Sequence, residues 1–587
     1  MALASGAGPL DEQMDGLLVH GENFQALNLL QARYQGQVNC IYIDPPYNTD
    51  ASEILYKNGY KSSSWLSFLE NRLAASKKFL VNNGIMCITI DDFEFHRCKS
   101  LLEGVFSRET LLGVVAIKNN PSGRSTGKGF SSAHEYALFI GNNEDVTIGR
   151  LAHSDQQLSR YKFDDEQGAY EWVNFRKHGG ANANRQARPK LFYPIFVSEK
   201  DGVRFPQATW NNETNQWDLD EAPRSHETIL YPLSPDGSEK TWKWGLETAR
   251  AMPEEFCVKP DQTKQLGVYR KSRLNEQGTL PLTVWDKSEY SSTEHGTNLL
   301  CRLFGESEKF SFPKSVHATV DSLRVSKASE NAHVMDFFGG SGTTAHAVIE
   351  LNRADDGDRR FILAEMGDYF DDVTVHRVLK AAYSKAWKAG KPIDREGVSL
   401  LTKIIRLESY EDTLDSLEVT PPDSAQQDLL KGNPALAEDY RLRYALGVET
   451  SASTCLLGKN FADPFAYTLS VVRDGTRREV PVDLPETFNY LLGLRLESRR
   501  LMDGVLAVTG TDAEGKHCLI LWRNLNETDN AAMETWFTHH RTKFTESLDI
   551  IYANGDHTLN SLKQSTETWT AQTIEPVFRE LMFEETE

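Results

Sequence analysis

The chain has 587 residues, more than one ordinary hydrophobic core accommodates, which predicts three or four structural units. Its formal net charge of −20 argues against uniform electrostatic adhesion to nucleic acid, so any such contact must be local. The sequence supports neither a membrane span nor a signal peptide, and its seven cysteines include no CxxC pair, so we expect a cytoplasmic protein without a structural metal or a disulfide framework.

Over residues 1–149, apolar strand-like runs alternate with amphipathic stretches. The predicted elements are, in order, the strand VNCIYI (38–43), the helix WLSFLENRLAASKKFL (65–80), and the strands GIMCITI (84–90), LLGVVAI (111–117) and EYALFI (135–140). Such alternation indicates βαβ units of a mainly parallel sheet.

A carboxylate and two prolines, Asp44, Pro45 and Pro46, directly follow the strand VNCIYI, and Tyr47 comes next. This turn is rigid and lies at the carboxyl edge of the sheet, where open α/β folds bind ligands. If Asp44 and the carbonyl of Pro45 accept the two N–H bonds of an adenine amine, the nitrogen lone pair can attack a sulfonium methyl. Tyr47 can stack on a base swung out of a duplex. The tetrapeptide alone also fits an ordinary turn, so its interpretation depends on a second motif.

From about 150 to 295 the periodicity weakens and aromatic residues become frequent, which indicates an inserted, loop-rich module. Its segment FRKHGGANANRQARPK (175–190) contains no acidic residue, and a flexible basic loop of this kind can bind phosphates and read guanine edges. A solvated charged loop is the alternative that composition leaves open. The residues predicted to contact DNA are Arg176, Lys177, Arg185, Arg188 and Lys190, together with Lys128 in a Gly/Ser-rich segment before the module.

Alternation returns at 332–337 and 360–365, each time followed by a helical pattern, so the sheet begun before the insertion is predicted to be completed after it. We therefore expect a Rossmann-like α/β domain in two halves, a target-recognition insertion and a C-terminal α+β domain. The predicted bounds of these four segments are 1–149, 150–295, 296–405 and 406–587.

The second motif is HVMDFFGGSGTTAHAVIELN (333–352), in which a strand, a glycine-rich turn and a helix follow one another. Glycines let the backbone approach a nucleoside closely, and the free N–H groups at the helix start favour a carboxylate. An acidic residue some two dozen positions later is placed to hold ribose hydroxyls. A dinucleotide site is less favoured, because its fingerprint usually has three glycines. The predicted cofactor-binding residues here are Asp336, Phe338, Gly340, Gly342, Thr343 and Glu365.

DPPYNT followed by FGGSGTT, with a long variable region between them, resembles the β-class amino-methyltransferases of DNA. HGENFQALNLL (20–30), IYIDPPYNT (41–49), HEYALFIG (134–141) and several C-terminal phrases resemble the modification (Mod) subunit of type III restriction-modification systems. The resemblance implies a methyl transfer from S-adenosylmethionine to a flipped-out base, catalysed by the loop Asp44–Tyr47. It further implies double-stranded DNA as substrate, a homodimer and a helicase-nuclease (Res) partner. FPKS (312–315) resembles the segment that closes over the methionine end, which adds Phe312 and Lys314 to the cofactor residues.

The sequence leaves more than one function open. Adenine N6 methylation is expected, but cytosine N4 methylation uses the same amine activation, and only the resemblance favours adenine. The third interpretation is a DNA-recognition scaffold for a restriction partner, since the acidic C-terminal segment holds no recognised catalytic motif. An orphan enzyme without a restriction partner also fits.

Overall fold

The computed structural model describes most of the chain, namely residues 10–48, 62–123, 129–260, 265–306, 309–417, 419–441, 445, 460–473, 476–544 and 548–583. These residues form two compact units. One unit contains Met1–Gly149 and Pro281–Glu587, and the other is Arg150–Leu280. The smaller unit is thus inserted in the sequence of the larger one.

The first half of the large unit alternates strands with helices. Its elements are β1 (Gly16–His20), α1 (Asn23–Tyr34), β2 (Val38–Ile43), α2 (Ser62–Lys77), β3 (Leu80–Ile90), α3 (Phe95–Val105), β4 (Leu111–Ile117) and β5 (Glu135–Gly141). Strand β2 is almost wholly buried, as expected for a parallel strand covered on both faces. Each large apolar side chain buried in this way contributes about 1.5–3 kcal/mol to folding.

The inserted unit consists of short strands and little helix. Its elements are α4 (Asp155–Leu158), β6 (Phe163–Asp165), β7 (Gly168–Asn174), β8 (Ile195–Ser198), β9 (Gly202–Arg204), β10 (Ala208–Asn211), β11 (Gln216–Leu219), β12 (Thr228–Leu230), α5 (Leu246–Ala251), β13 (Phe256–Pro260) and β14 (Leu266–Arg273). They form three antiparallel sheets, ordered β10-β11, β12-β8-β9 and β13-β14-β7-β6. The aromatic side chains Phe175, Tyr193 and Trp242 are buried in the core of this unit.

The second half of the large unit begins earlier than predicted. We expected the insertion to end at 295, but Val284–Trp285 already pairs with β4 in the sheet of the large unit. The elements are β15 (Val284–Trp285), α6 (Asn298–Phe304), α7 (Val316–Val325), β16 (His333–Asp336), α8 (Thr343–Asp355), β17 (Arg360–Glu365), α9 (His376–Tyr383), β18 (Trp387–Lys388), β19 (Lys391–Pro392) and β20 (Thr402–Arg406).

Both halves contribute to one nine-stranded sheet, ordered β15-β4-β5-β3-β2-β16-β17-β1-β20. All neighbours from β3 to β20 are parallel, as are β15 and β4. Strand β5 runs antiparallel to both β3 and β4. The sheet is therefore mixed, and the carboxyl ends of β2, β3, β4, β16 and β17 lie at the same edge as the amino end of β5.

The C-terminal segment belongs to the same compact unit as the sheet. Its elements are α10 (Tyr410–Asp415), α11 (Ser424–Gly432), α12 (Pro434–Asp439), β21 (Thr468–Arg473), β22 (Thr476–Pro481), α13 (Leu484–Leu491), β23 (Arg495–Met502), β24 (Val505–Thr511), β25 (His517–Arg523), α14 (Asn530–His540), β26 (Ile550–Ala553), β27 (Thr570–Thr573) and α15 (Ile574–Phe583).

Contacts join this segment to the first strands and helices of the chain. Strands β23 to β27 form their own five-stranded sheet in sequence order. The Leu496 N–H donates to Asp11 Oδ2 at 2.7 Å, Asp11 forms a buried ion pair with Arg33, and Tyr490 packs in the core of the nine-stranded sheet. None of the helices in the described ranges is long and apolar enough to cross a membrane.

Candidate active site

Asp44 and three other polar side chains meet at one edge of the sheet. Asp44 follows β2, Thr89 lies near the end of β3 and Asn119 follows β4. Glu135 is the first residue of β5, and because β5 is antiparallel to β3, this amino end lies at the carboxyl end of its neighbour. The topology thus brings a second carboxylate to the position of the first.

Asp44 is anchored through one of its two carboxylate oxygens. The Thr89 hydroxyl donates to Oδ1 at 2.7 Å, and the Lys314 ammonium lies 3.0 Å from the same oxygen. Among the described residues no donor bonds Oδ2, and the Asp44 side chain is 28% exposed. One oxygen therefore fixes the carboxylate while the other is available to a ligand.

Glu135 is the acceptor for three neighbouring side chains. Its Oε2 accepts from the Tyr47 hydroxyl at 3.0 Å, from Asn119 Nδ2 at 2.8 Å and from Lys314 Nζ at 2.5 Å. Lys314 Nζ also donates to the Tyr47 hydroxyl. Burial raises the pKa of Tyr47 well above its usual value, and the charges of Asp44 and Glu135 raise it further, so the phenol stays neutral.

Side-chain hydrogen bonds fix the turn after β2. The indole Nε1 of Trp65, on α2, donates to the carbonyl of Pro46 at 2.9 Å, and a hydrogen bond of this kind contributes about 1 kcal/mol. Asn48 ends the turn with a φ of 56°, in the left-handed region, and its amide donates to Glu94 at 3.0 Å. These contacts fix the backbone on which Asp44 and Tyr47 lie.

Lys314 reaches Asp44 from the second half of the chain, immediately before α7. Gly296 makes this approach possible, because a Cβ there would lie 2.3 Å from the Pro313 carbonyl oxygen. Ser315 donates to the Glu289 carbonyl at 2.6 Å and begins the helix. Burial lowers the pKa of Lys314, but Asp44 and Glu135 raise it more, so the net shift is upward and the ammonium stays charged.

The glycine turn follows β16 and lies next to β2 and β17. Gly340 and Gly342 have φ values of 49° and 80°, which favour glycine, and Gly342 caps α8. The Glu365 carboxylate is 2% exposed and accepts from the N–H groups of Gly340 and Gly367, both at 2.7 Å. A carboxylate oxygen can accept more than one hydrogen bond, so these contacts do not prevent Glu365 from accepting from ligand hydroxyls as well.

A buried arginine lies behind the glycine turn. Arg377 Nη1 donates to the hydroxyls of Ser341 at 2.6 Å and Thr343 at 2.8 Å. Burial lowers the pKa of Arg377 to about 9, which still leaves the guanidinium charged at neutral pH. This charge adds to the dipole at the start of α8 and favours a carboxylate there.

The edge formed by Asp44, Asp336 and Glu365 is rich in carboxylates. Asp336 accepts from the Thr344 hydroxyl at 2.5 Å and the Phe338 N–H at 2.9 Å, neither of which carries a charge. Burial raises the pKa of Asp336 to about 7, and the charges of Asp44 and Glu365 add to the rise. A cationic ligand at this edge would stabilise the ionised form of Asp336.

A sequence profile of the DNA methylase family, which covers the N6 and N4 classes, matches residues 38–375, more than half of the chain. The chain belongs to the DNA methylase family.

Curated relatives of the methylase agree with this assignment. The Mod subunit of the type III restriction-modification enzyme EcoPI from Escherichia phage P1 is 29% identical over 415 residues, which are 65% of this chain and 61% of that protein. The type II methyltransferase M.KpnI from Klebsiella pneumoniae is 30% identical over 367 residues, which are 61% of this chain and 82% of that protein. The match thus spans less than two thirds of the phage P1 relative and most of M.KpnI.

The structure brings the predicted site residues of the methylase together in two groups. Asp44 to Tyr47 form the first, and the glycine-turn residues with Asp336 and Glu365 form the second. Lys314 was predicted beside the cofactor, but its ammonium pairs with Asp44 and Glu135. Phe312 has a φ of 56° and a largely exposed side chain.

Four residues of the site lie outside both sequence motifs and were not predicted, namely Thr89, Asn119, Glu135 and Arg377. HEYALFIG gave a signal for Glu135, since a carboxylate begins a buried strand there. The expectation of a mainly parallel sheet hid it, because the start of a parallel strand lies at the edge opposite to Asp44. Arg377 gave no local signal, since nothing in its neighbourhood shows that it will be buried.

The predicted DNA-contact residues of the inserted unit differ in exposure and in whether they form an ion pair. Arg185 pairs with Glu239 at 2.9 Å, whereas Arg188 and Lys190 are exposed. Lys128 lies outside the described residues. Arg176 and Lys177 remain as cations without a carboxylate partner in the described part of the unit.

These two cations, the two further cations Lys243 and Arg270, and the imidazole of His178 make up what we call the cationic cluster. Burial lowers the pKa of His178, as do Arg176 and Lys243, and burial together with Arg270 lowers that of Lys243. Arg270 lies over the Trp244 ring, 5.0 Å from its centroid. No carboxylate forms an ion pair with Lys243 or Arg270 within the described ranges. The cluster consists of Arg176, Lys177, His178, Lys243 and Arg270.

Proposed function

We propose that this methylase transfers a methyl group from S-adenosylmethionine to the N6 amine of a flipped-out adenine in double-stranded DNA. The observation that carries the proposal is the state of Asp44. Thr89 and Lys314 fix its Oδ1, while Oδ2 faces no donor among the described residues. A carboxylate held in this way is preorganised to accept a hydrogen bond from a substrate amine.

The chemistry at the amine follows from two acceptors. Asp44 Oδ2 and the Pro45 carbonyl accept its two N–H bonds, which draws the nitrogen lone pair out of conjugation with the ring. Lys314 and Thr89 keep the carboxylate from rotating as the nitrogen becomes more pyramidal. The proton of the alkylated nitrogen leaves to Asp44 Oδ2, which it already faces, or to solvent.

Tyr47 supplies the surface on which the extruded base lies. Its ring follows the two prolines, and its hydroxyl is bound by Glu135 and Lys314. Base stacking on an aromatic ring is worth about 1–3 kcal/mol and helps to offset the cost of unstacking in the duplex. The fixed ring therefore supports a base that is presented edge-on to Asp44.

The residues beside the glycine turn fit S-adenosylmethionine. When bound, this cofactor supplies a methyl group on a positively charged sulfonium. The carboxylate of Asp336 suits its positive charges, and that of Glu365 suits its ribose hydroxyls. The start of α8 with Arg377 behind it suits a carboxylate. The residues proposed to hold the cofactor are Asp336, Phe338, Gly340, Gly342, Thr343 and Glu365, with Phe312 at the methionine end.

We propose that the cationic cluster contacts DNA phosphates. Neighbouring cations lower the pKa values of His178 and Lys243, and an anionic ligand would stabilise the charged forms of both side chains. Because the whole chain carries a net charge of −20, a local concentration of positive charge is what binding to DNA requires. The exposed Arg188 and Lys190 are placed in the same unit and supplement this surface; we propose Lys128 and Arg185 as further contacts.

The phage P1 relative is a Mod subunit, which supports a role as the modification subunit of a type III system. We propose a cytoplasmic homodimer that associates with a helicase-nuclease partner. The C-terminal segment is the candidate docking region. Its removal would be a poor test, because Tyr490 and the contacts of Asp11 tie it to the catalytic sheet.

The first test is incubation of the purified protein with tritiated S-adenosylmethionine and mixed-sequence duplex DNA, followed by nucleoside analysis. Label in N6-methyladenine is the expected result. Label in N4-methylcytosine would move the assignment to the other amine. DNA binding without any label would instead favour a recognition scaffold. The Asp44→Ala variant is the control for label that arises from a contaminating enzyme.

A further inference from the structure

Glu135 is linked to both catalytic positions, although it belongs to neither sequence motif. Its carboxylate bonds the Tyr47 hydroxyl directly and reaches Asp44 through the Lys314 ammonium. Its side chain is 4% exposed, so these contacts form in a nearly dry environment. A buried charge has a high desolvation cost unless it is paired with good geometry, so the position of the Lys314 ammonium relative to the Glu135 carboxylate matters.

We propose that Glu135 is a positioning residue for methyl transfer, which holds Tyr47 by its hydroxyl and holds Asp44 through Lys314. The inference rests on the proposed function. It adds how the amine acceptor Asp44 and the stacking ring of Tyr47 are held at a fixed distance and orientation from each other. The two charged residues of this pair come from separate halves of the methylase domain, since Glu135 and Lys314 are 179 positions apart in the sequence.

The distances show how Glu135 acts on Asp44. Lys314 Nζ lies 2.5 Å from Glu135 Oε2 and 3.0 Å from Asp44 Oδ1. The ammonium thus lies closer to Glu135 than to Asp44, and its shortest contact with Asp44 is to Oδ1. Without the charge of Glu135, Lys314 would have Asp44 as its single counter-ion and would bridge both oxygens. It would then compete with the substrate amine for Oδ2.

Tyr47 depends on the same carboxylate. Lys314 Nζ lies 4.6 Å from the centroid of the Tyr47 ring, while the ring hydroxyl donates to Glu135. Asn119, which follows β4, supplies one more donor to Glu135 and fixes its rotamer. The group Glu135, Lys314, Tyr47 and Asp44 therefore acts as a unit, and the loss of one member displaces the others.

The test measures single-turnover methyl transfer with saturating cofactor and DNA. Glu135→Gln keeps the shape but removes the charge, and we expect the rate to fall by about 10–100-fold while the dissociation constant for S-adenosylmethionine stays within about threefold. Lys314→Met should show a similar loss. Lys314→Arg keeps the charge and should retain more activity than Lys314→Met.

A double variant separates a positioning unit from two independent residues. If Glu135 acts through Lys314, the rate of Glu135→Gln with Lys314→Met should be close to that of the worse single variant. The exposed Glu144, which follows β5, provides the matched control, since Glu144→Gln should keep the wild-type rate. Thermal unfolding of each variant shows whether a lost rate reflects lost fold.

Two results would overturn the inference. One is a wild-type single-turnover rate in Glu135→Gln, and the other is a double variant whose loss equals the product of the single losses. If Glu135→Gln fails to fold, Tyr47→Phe, which removes the hydroxyl that Glu135 binds, takes its place in the double variant with Lys314→Met, and a loss equal to the product of the single losses would again overturn the inference. Failure of the proposed function is distinct, because the wild-type protein would then form no methylated adenine at all.

Discussion

Asp44 and Asp336 lie at the carboxyl ends of neighbouring strands, but their surroundings differ in charge. Asp44 faces the Lys314 ammonium and the Thr89 hydroxyl. Asp336 is bound only by the neutral Thr344 hydroxyl and Phe338 N–H among the described residues, and its pKa is raised to about 7. The protein thus supplies a cation at one carboxylate and none at the other.

One sheet edge can therefore hold two kinds of ligand. The cation beside Asp44 holds in place the carboxylate that, in the proposed function, accepts an N–H bond from a neutral base. The neutral surroundings of Asp336 leave a site whose charge is best balanced by a cationic cofactor. Variants at the two positions should therefore separate the transfer step from cofactor binding.

Removal of Asp44 is expected to have the largest effect. Asp44→Ala deletes the amine acceptor but leaves the glycine turn unchanged, so single-turnover methyl transfer should fall by about a thousandfold. The dissociation constant for S-adenosylmethionine, measured by calorimetry, should change by less than about threefold. Retained transfer would remove Asp44 from the mechanism, and lost cofactor binding would show that the two carboxylates do not act separately.

Variants of Tyr47 test whether its ring stacks on the extruded base. Tyr47→Ala removes the stacking ring, and a loss of about 10–100-fold in kcat/KM is expected from the stacking energy. Tyr47→Phe keeps the ring and loses only the bonds to Glu135 and Lys314, so its loss should be several-fold smaller. Fluorescence of 2-aminopurine at the target position reports extrusion directly. Equal losses in the two variants would argue against stacking as the role of the ring.

The sequence predicted the elements that follow a local pattern. Strands β2, β4 and β17 have the predicted bounds, because each is a short apolar run bounded by turn residues. The two motifs at Asp44 and at the glycine turn were found for the same reason. Each consists of neighbours in the sequence that act together.

The remainder depends on contacts that no local pattern encodes. The antiparallel direction of β5 decides where Glu135 lies, and nothing in its alternation reveals that direction. Lys314 reaches Asp44 only because the second half of the chain packs beside the first. The cationic cluster likewise joins Arg176 to Lys243 and Arg270, which lie on distant segments of the inserted unit.

The raised pKa of Asp336 predicts a pH dependence of cofactor binding. Below about pH 7 the carboxyl is protonated and neutral, and above it the carboxylate attracts a positively charged cofactor. Affinity should therefore rise as the pH is raised towards 7, by up to about tenfold per pH unit for one linked proton, and should level off above pH 7, where the carboxylate is already ionised. Asp336→Asn, titrated over the same range, removes this contribution and leaves any titration of the cofactor's own amine. Identical pH profiles for both proteins would contradict the assignment.

The smallest expected effect concerns the inserted unit, and it appears in the salt dependence of DNA binding. Two phosphate contacts contribute about 1.8 to the slope of log Kd against log salt concentration, so the Lys243→Gln, Arg270→Gln double variant should lose about that much. Lys271 neighbours Arg270 but pairs with Asp165 at 2.6 Å, so Lys271→Gln should change the slope less. The transfer rate at saturating DNA should stay at the wild-type value, since neither cation belongs to the site at Asp44. An unchanged slope in the double variant would show that the cluster does not bind phosphate, and the inserted unit would then have to contact DNA through its exposed Arg188 and Lys190.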